Sequence, residues 1–216
     1  MNKTVSIVDY GIGNLFSVSR AVEQCGGQPV LVTTPEEVLN AERLILPGVG
    51  AFADGMDGLR TRGLIDALKA YGQSNRPLLG ICLGMQMLLE INEEFGIHNG
   101  LGLIPGRVCA IPSTDITGQK HKIPHIGWTA LQKAPSQAQD WDDPLLCNIP
   151  ENTKVYFVHS FTAFPTHDNH RLADAWYGGR QISAIIRKGR LYGCQFHPEK
   201  SGPWGLKILE NFINLN

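Results

Sequence analysis

A cysteine lies between two glycines in residues 80–84, in the pattern Gly-x-Cys-x-Gly. An apolar run precedes it, and Met85, Leu88 and Leu89 follow at helical spacing. The pattern predicts a strand, a tight turn with Cys82 at its apex, and a helix. Such a turn needs small flanking residues, and it places the first N–H groups of the helix beside the sulfur, where they stabilise a thiolate or an oxyanion. Taken alone, the pattern also fits a small buried cysteine.

A histidine and a glutamate stand two residues apart near the end of the chain, in the sequence QFHPE at residues 195–199. In an extended segment this spacing places both side chains on the same side, so Glu199 is positioned to hold the imidazole of His197. Pro198 between them indicates that the chain leaves the sheet here. The segment alone also fits a polar turn, but with the cysteine turn it predicts a triad of Cys82, His197 and Glu199.

A glycine-rich loop, PGVG at residues 47–50, follows a third apolar run. Its glycines allow the backbone to approach a substrate closely. An N–H group of this loop and that of Leu83 would together form an oxyanion hole, although the sequence also fits an ordinary strand-to-helix loop. We further hypothesise that the peptide at Val49, which glycines flank, rotates between two states, of which only one presents its N–H group to the oxyanion.

The composition limits the classes of function. The chain has 216 residues, is 43% hydrophobic and has a formal net charge of -1, so nucleic acid is not expected as a main partner. No apolar run approaches the roughly 18 residues of a spanning helix, and the first residues pass directly into a strand pattern, which leaves no room for a signal peptide. The five cysteines form neither a disulfide framework nor a zinc pattern, so we expect a cytoplasmic protein without a metal site.

Strands alternate with helices in the first half of the chain, which predicts a mostly parallel sheet covered on both faces. Ligands of such sheets bind at the carboxyl ends of the strands, so Asp9, residues 47–50 and Cys82 should share one rim. The predicted strands are residues 5–9, 28–33, 43–46 and 78–81, and the predicted helices begin after Asn14, after Thr34 and at Leu64.

The second half has many glycines and short apolar runs, which predicts antiparallel strands appended to the parallel sheet. We expect a single domain over residues 1–216. The predicted features are strands within residues 96–111 and 122–131, a surface loop at 134–143, a strand at 153–159, a hairpin of 182–187 with 191–196, and a last helix that begins at Pro203.

Two of these motifs resemble those of the class I (triad-type) glutamine amidotransferases, GICLGMQ at residues 80–86 and QFHPE at 195–199. Five further motifs, in the right order, resemble those of the glutaminase subunits of imidazole glycerol phosphate synthase, and this resemblance covers essentially the whole chain. Phe161 stands where tyrosine is also expected. The resemblance implies a flavodoxin-like α/β fold. The five motifs are residues 9–15 (DYGIGNL), 47–52 (PGVGAF), 124–128 (PHIGW), 156–161 (YFVHSF) and 200–201 (KS).

The resemblance also implies the chemistry and the residues that perform it, without a cofactor. Cys82 attacks the carboxamide of glutamine, His197 takes and returns the proton, and Glu199 orients His197. The residues implied in binding glutamine and its oxyanion are Val49, Gly50, Leu83, Gln86, Glu94, His159, Ser160 and Phe161.

The resemblance implies one protein partner, a (β/α)8-barrel cyclase of the HisF type that receives the ammonia in a heterodimer. The sequence agrees with this, because it has no Gly-Lys-Ser/Thr phosphate loop and no basic cluster with which to bind a phosphorylated acceptor. Asn14 also fits a helix cap and Trp128 a core residue, whereas aromatic residues are enriched at interfaces. The candidate interface residues are Asn14, Trp128, Lys154, Tyr156 and Lys200.

Three alternatives remain open at this stage. The first is a glutaminase that serves another synthase, such as those for pyridoxal phosphate or purines. The second is a stand-alone cysteine hydrolase, which would act on peptides or esters without a partner. The third is a non-catalytic scaffold, which would require the loss of a triad residue, and all three are present.

Overall fold

The computed structural model describes residues 3–135 and 143–215. Most of the predicted surface loop at 134–143 therefore lies outside the described residues. Within those residues no helix has the length and apolar character needed to cross a membrane.

The described chain folds into helices and strands that alternate through its first half, as predicted. The helices are α1 (Leu15–Gln24), α2 (Pro35–Asn40), α3 (Phe52–Thr61), α4 (Leu64–Gln73), α5 (Leu83–Met87) and α6 (Gly202–Asn214). The strands are β1 (Thr4–Val8), β2 (Gln28–Val32), β3 (Leu44–Leu46), β4 (Leu78–Ile81), β5 (Leu89–Asn92), β6 (His98–Asn99), β7 (Ile104–Ala110), β8 (His125–Ala130), β9 (Gln132–Lys133), β10 (Lys154–His159), β11 (Phe161–Pro165), β12 (Arg171–Tyr177), β13 (Arg180–Lys188) and β14 (Leu191–Cys194).

The main sheet, as far as the structure describes it, has eight strands in the order β2-β1-β3-β4-β14-β13-β12-β9. The strands from β2 to β14 in this order run parallel, whereas β13, β12 and β9 extend the sheet antiparallel. The carboxyl ends of β1, β3 and β4 are therefore neighbours, which brings the predicted rim together. This mostly parallel sheet, with helices packed against it, confirms the predicted fold class.

Alternating side chains of the parallel strands divide the core into two clusters. Val5 and Ile7 of β1 pack with Val22 of α1 and Phe212 of α6. The next residue of β1, Val8, belongs to the second cluster, which contains side chains of α3, α4 and α5. The period of two along each strand thus accounts for helices on both faces of the sheet.

Local sequence accounts well for the ends of the first helices. Thr34 and Glu37 form a reciprocal capping box, since each side chain accepts the backbone N–H of the other, at 3.3 Å and 3.0 Å. Asn14 does stand at the N-cap of α1, but its side chain makes no capping hydrogen bond. Capping therefore does not explain the choice of asparagine at this position.

The helix predicted after Cys82 is shorter than its apolar spacing indicates. It ends at Met87, and Leu89 already begins β5, so the placement of Leu88 and Leu89 on a helical face was wrong. The backbone here forms hydrogen bonds with another segment instead, because the carbonyls of Met87 and Leu88 accept N–H groups of Leu101 and Leu103. Strand pairing with a distant segment has overridden the local helical pattern.

The strands predicted between residues 96 and 131 form mostly separate sheets rather than an extension of the parallel one. One sheet has the order β11-β7-β5-β6, and the other consists of β10 and β8. The short β9 does join the main sheet, whose other antiparallel strands, β12 and β13, come from later in the chain. The predicted hairpin corresponds to β13 and β14, while α3, β11 and β12 were not predicted.

Candidate active site

The turn that carries Cys82 needs both of its flanking glycines. A Cβ atom on Gly84 would lie 1.8 Å from the carbonyl oxygen of Leu46, and one on Gly80 would lie 2.6 Å from the backbone nitrogen of Met85. Cys82 itself has φ 54° and ψ -109°, which is strained for a residue with a side chain. Cys82 therefore lies at the apex of a strand-to-helix turn that only small neighbouring residues permit.

The sulfur lies at the carboxyl end of β4 and at the start of α5. Cys82 is 8% exposed, and its own N–H group donates to the carbonyl of Cys194 on the adjacent strand at 2.7 Å. Leu83 is the first residue of α5, so its N–H group has no carbonyl one turn earlier to bind. The turn thus places a nearly buried thiol next to a backbone donor.

The predicted triad is assembled in the structure. Nδ1 of His197 lies 2.8 Å from Oε1 of Glu199, and both side chains are buried. Since a carboxylate oxygen accepts, Nδ1 carries the proton and Nε2 is left for Cys82, which lines the same cleft as His197. The arrangement matches the roles of nucleophile, base and orienting carboxylate.

The environment of His197 favours its charged form. Burial acts to lower the pKa of His197, but hydrogen bonds to Cys82 and Glu199, and the negative charges of both, outweigh it and raise the pKa to about 9. An imidazolium between a thiol and a carboxylate supports an ion pair with the thiolate, which is the reactive form of cysteine.

The backbone of β10 holds the segment that carries His197. The N–H group of His197 donates to the carbonyl of Tyr156 at 3.0 Å. The buried Ser201 hydroxyl donates to the carbonyl of His197 at 2.7 Å and accepts the N–H group of Tyr156 at 2.9 Å. Tyr156 is thus tied to both ends of the triad segment. Ser201 was predicted only as part of a motif, and this positioning role was missed.

The glycine-rich loop after β3 lies against the cysteine turn. Its Pro47 carbonyl accepts the hydroxyl of Tyr10 at 2.8 Å. A Cβ atom on Gly48 would lie 2.6 Å from that hydroxyl oxygen and 2.9 Å from Cβ of Leu83. Gly50 has open space around it but a φ of +91°, which disfavours other residues. One glycine is therefore needed for close packing and the other for backbone conformation.

A cleft of about 340 Å³ opens over the cysteine. Small-molecule sites span roughly 300–1,000 Å³, so this cleft suits a small ligand. The structure brings all eight predicted glutamine-binding residues to its wall, and their individual roles stay a prediction. The cleft is lined by Val49, Gly50, Cys82, Leu83, Gln86, Glu94, Pro124, Val158, His159, Ser160, Phe161 and His197.

A larger cavity, of about 960 Å³, lies elsewhere, beside Asp143 and Arg187. It contains a thiol, that of Cys147, but none of its described lining residues is a histidine. A cysteine without a base is a poor candidate for catalysis, so the smaller cleft is the candidate active site. The described residues contain no group of three or more metal-ligating side chains placed to hold an ion.

Two buried glutamines form a chain of amides behind the cleft. The Nε2 atom of Gln86 donates to the carbonyl of Phe161 at 3.3 Å and to Oε1 of Gln195 at 3.1 Å. The Nε2 atom of Gln195 lies 3.8 Å from the sulfur of Cys82. Gln195 stands inside the predicted triad motif, yet no role was predicted for it.

Glu94 has a partner that the sequence did not indicate. One of its carboxylate oxygens accepts the backbone N–H of Phe52 at the start of α3, at 2.6 Å. The carboxylate thus stabilises the amino end of that helix while it faces the cleft. This contact ties the loop of residues 47–50, which leads into α3, to a cleft-lining side chain.

A second pair of histidines lies at the edge of the cleft. Nδ1 of His159 lies 2.7 Å from the carbonyl of Phe161, so this nitrogen is the donor. Nε2 of His159 then accepts Nδ1–H of His125 at 3.0 Å, and Nε2 of His125 accepts the hydroxyl of Thr129 at 2.8 Å. The single carbonyl of Phe161 therefore fixes the proton positions along the whole chain.

The pKa values of His125 and His159 are shifted in the opposite direction to that of His197. Burial, and to a lesser extent the positive charge of His121, lowers the pKa of His125 to about 4. Burial lowers the pKa of His159 to about 3, and the hydrogen bond to Phe161 offsets only part of this. Both rings are therefore neutral at pH 7.

The candidate interface residues lie at or near one outer face. Trp128 is 54% exposed, so it is not a core residue, and its ring meets that of Tyr156 edge-on across the β8–β10 pair at 6.0 Å. Lys154 is exposed on the same strand as Tyr156, while Val155 between them is buried, as the alternation predicted. Their role as an interface stays a prediction. Lys200 is exposed in the turn beyond the triad, and Asn14 precedes α1, which contacts that turn.

Comparison with known proteins adds the family. The model of the family described as "Glutamine amidotransferase class-I" matches residues 6–215. The chain is 54% identical to imidazole glycerol phosphate synthase subunit HisH 1 of Legionella pneumophila (strain Lens), over 98% of the chain and 99% of that protein. It is 45% identical to the HisH subunit of Geobacillus sp. (strain WCH70), over 98% of the chain and 96% of that protein.

Solved structures share the fold at low sequence identity. The structure of PurLQS from Thermotoga maritima matches with a TM-score of 0.76 at 20% identity, over 99% of each chain. A crystal structure described as a glutamine amidotransferase matches with a TM-score of 0.71 at 16% identity, over 98% of this chain and 99% of that one. These structural matches bear on the fold alone.

Proposed function

This chain belongs to the class I glutamine amidotransferase family, and we propose on that premise that it is the glutaminase subunit of an imidazole glycerol phosphate synthase. It hydrolyses glutamine to glutamate and ammonia. The observation that carries the proposal is the buried thiol–imidazole–carboxylate array of Cys82, His197 and Glu199. The near full-length similarity to HisH subunits supports the assignment to this synthase.

The first half of the reaction is acylation of the enzyme. The Cys82 thiolate attacks the carboxamide carbon of glutamine, and the oxyanion that forms is held by N–H groups of Leu83 and of the loop at Val49 and Gly50. The imidazolium of His197 then gives its proton to the departing nitrogen as the C–N bond breaks. Ammonia leaves, and a thioester joins Cys82 to the glutamyl group.

The second half removes the glutamyl group. His197, now neutral, takes a proton from a water molecule, whose oxygen attacks the thioester carbon. The C–S bond breaks, and the products are glutamate and the restored thiolate beside the imidazolium. Glu199 holds Nδ1 of His197 throughout, so that Nε2 faces the reacting atoms.

The amino-acid end of glutamine binds between two walls of the cleft. Gln86 and Glu94 belong to one wall, and residues 159–161 belong to the other. The amide nitrogen of Gln86 is already engaged by Phe161 and Gln195, so its oxygen is the atom available to accept from the substrate's ammonium group. Glu94 contributes negative charge at the same end.

The ammonia passes to a (β/α)8-barrel cyclase of the HisF type, the other member of a heterodimer. There it reacts with a phosphoribulosyl-formimino aminoimidazole carboxamide ribonucleotide to give imidazole glycerol phosphate and aminoimidazole carboxamide ribonucleotide. The exposed apolar side chains of Trp128, Ile126 and Trp204 support a docking face near the triad segment.

The docking face has a direct connection to the catalytic base. The side chain of Tyr156 belongs to that face, and its backbone holds both ends of the segment that carries His197. We assign the interface to Asn14, Trp128, Lys154, Tyr156 and Lys200. The chain acts as a single domain over residues 1–216, in the cytoplasm, where its five free cysteines stay reduced.

The deciding experiment measures glutamate release from glutamine by the purified chain, alone and with a HisF-type barrel and its ribonucleotide ligand. We expect low activity alone, a large increase with the liganded barrel, and loss of activity in Cys82→Ser. Cys147→Ser is the matched control, because Cys147 is exposed and lines a different cavity from that of Cys82. It should keep full activity.

The other outcomes favour specific alternatives. Glutamate release that does not respond to the barrel would leave a glutaminase but point to another synthase. Hydrolysis of peptides or esters, without action on glutamine, would favour the stand-alone cysteine hydrolase.

A further inference from the structure

Gln195 is a buried polar side chain that the mechanism above does not use. It follows β14 directly, has no exposed surface, and its backbone N–H donates to the carbonyl of Ala184 at 2.9 Å. Its amide nitrogen lies 3.8 Å from the sulfur of Cys82, a distance within reach of an N–H···S hydrogen bond. A buried amide is costly unless its groups are bonded, so its contacts identify what it serves.

The direction of the Gln195 amide is fixed by a neighbouring carbonyl. The oxygen of Phe161 only accepts, so the group of Gln86 that faces it is the NH₂ group. The same NH₂ group also donates to Gln195, which must therefore present its oxygen to Gln86. The remaining end of the Gln195 amide, its own NH₂ group, faces the sulfur. If the Gln195 amide were flipped, its NH₂ group would face the NH₂ group of Gln86, and its oxygen would face the sulfur of Cys82, which is also an acceptor.

We propose that Gln195 is a further catalytic residue, an uncharged N–H donor that stabilises the thiolate of Cys82 beside the imidazolium of His197. An amide proton does not transfer at accessible pH, so Gln195 takes no part in the proton transfers. A hydrogen bond to a charged acceptor is stronger than one to a neutral acceptor. Gln195 therefore binds the thiolate more tightly than the thiol or the thioester.

The consequence for the rate of catalysis is smaller than the consequence for the fraction of Cys82 that is thiolate. A hydrogen bond that is stronger to the thiolate than to the thiol favours the thiolate by about tenfold. Nucleophilicity falls with the pKa of a thiol, with a Brønsted slope of about 0.4–0.5. A tenfold gain in the thiolate fraction thus becomes about a threefold gain in rate.

The test measures the rate of alkylation of Cys82 by iodoacetamide as a function of pH. Gln195→Met keeps the volume and removes the donor, and we expect the midpoint of the profile to rise by about one pH unit. Gln195→Glu keeps the shape and replaces the donor with a negative charge, and the rise should be larger. kcat should fall about threefold in Gln195→Met at neutral pH, with little change in KM.

The controls separate the thiol from its surroundings. Cys82→Ser supplies the alkylation background of the other four cysteines. Gln181→Met is the matched control, because Gln181 also donates its amide to a neighbour, Asp174, but on β13 away from the cleft. Its profile should match that of the parent. The other titratable groups that face Cys82 or its cleft are Tyr10, Glu94, His159 and His197, and they are unchanged in every variant.

Two results would overturn the proposal. One is a midpoint in Gln195→Met that equals that of the parent. The other is an alkylation midpoint in Gln195→Glu that is no higher than the midpoint in Gln195→Met. If Gln195→Met fails to fold, the midpoint in Gln195→Glu is compared with that of the parent instead, and a value no higher than the parent's would overturn the proposal. A purely structural Gln195 would lower the unfolding temperature without moving the profile. Although the catalytic role rests on the proposed glutaminase function, alkylation needs neither glutamine nor a partner, so its failure is distinct from failure of that function.

Discussion

His197 and the pair formed by His125 and His159 are buried near the same cleft, yet their pKa values move in opposite directions. The pKa of His197 is raised to about 9, whereas those of His125 and His159 are lowered to about 4 and about 3. Burial disfavours the charged ring in all three cases. The difference is the partner, because a carboxylate and a thiol face His197, while the pair meets a carbonyl, a hydroxyl and one another.

The comparison indicates different roles for His197 and for the His125–His159 pair. A histidine that must accept and return a proton needs a partner that stabilises its charged form. A histidine that must only hold the cleft wall at residues 159–161 serves better when it stays neutral with a fixed tautomer. On the proposed mechanism, the same residue type thus acts in one region as a base and in the other as a rigid hydrogen-bond link.

Removal of the carboxylate from His197 should produce the largest effect. In Glu199→Gln the charge is lost while the shape is kept, so the imidazolium is no longer stabilised and the ring is no longer held in one tautomer. We expect kcat for glutamate release, measured with the liganded barrel, to fall by roughly 10²–10⁴-fold. Glu210→Gln is the control, since Glu210 pairs with Lys207 on the exposed part of α6. A fall of less than threefold in Glu199→Gln would refute the assigned role.

The pH dependence of stability should separate the two regions next. The unfolded pKa of histidine is about 6.5. For His125 and His159 the folded pKa is lower, so the unfolded chain binds more protons and stability is lost as the pH falls from 6.5 towards 4. For His197 the folded pKa is higher, so its contribution is present below pH 6.5 and is lost as the pH rises towards 9.

Single substitutions test this prediction through the free energy of unfolding in urea. In His125→Gln, the slope of the free energy of unfolding against pH should decrease between pH 4 and 6.5, by up to about 1.4 kcal/mol per pH unit. His197→Gln should leave that range unchanged and flatten the decline between pH 6.5 and 9. Groups that do not interact with the substituted ring titrate alike in parent and variant, so each difference reports that ring together with its immediate partners. Parallel curves for parent and variants would contradict the assigned pKa values.

The sequence sufficed for the parts of the site that depend on local structure. The cysteine turn, the rim at the ends of β1, β3 and β4, and the spacing of His197 and Glu199 each follow from a few consecutive residues. The helix α3 was missed because its glycines weaken the helical signal. They are needed for packing, since Cβ atoms on Gly55 and Gly58 would lie 3.0 Å from Leu83 and 2.9 Å from Tyr10.

The parts that the sequence could not provide depend on contacts between distant residues. Gln86 and Gln195 are 109 residues apart, and His125 and His159 are 34 apart. No local sequence pattern indicates which of these atoms meet. Nor does it indicate that one carbonyl, that of Phe161, sets the donor and acceptor directions in both hydrogen-bond chains, the two glutamines and the two histidines. Three-dimensional placement of the two sheets beside the main one determines these contacts, and no periodicity encodes it.

The smallest predicted effect tests whether the neutral pair is structural rather than catalytic. Thr129→Val removes the hydroxyl that donates to Nε2 of His125 and leaves that nitrogen buried without a partner. We expect a loss of roughly 1–3 kcal/mol in the free energy of unfolding, whereas Thr129→Ser, which keeps the hydroxyl, should lose less.

The catalytic readout makes this last prediction decisive. The carbonyl of Phe161 still orients both rings in Thr129→Val, and Cys82, His197 and Glu199 are untouched, so kcat should stay within about threefold of the parent at neutral pH. Nitrogen chemical shifts of His125 and His159 should report the same tautomers in parent and variant. A fall in kcat comparable to that of Glu199→Gln would mean that a proton moves along the Thr129–His125–His159 chain during turnover. The His125–His159 pair and His197 would then belong to one catalytic system, because the pair counts as structural only if its protons stay in place during turnover.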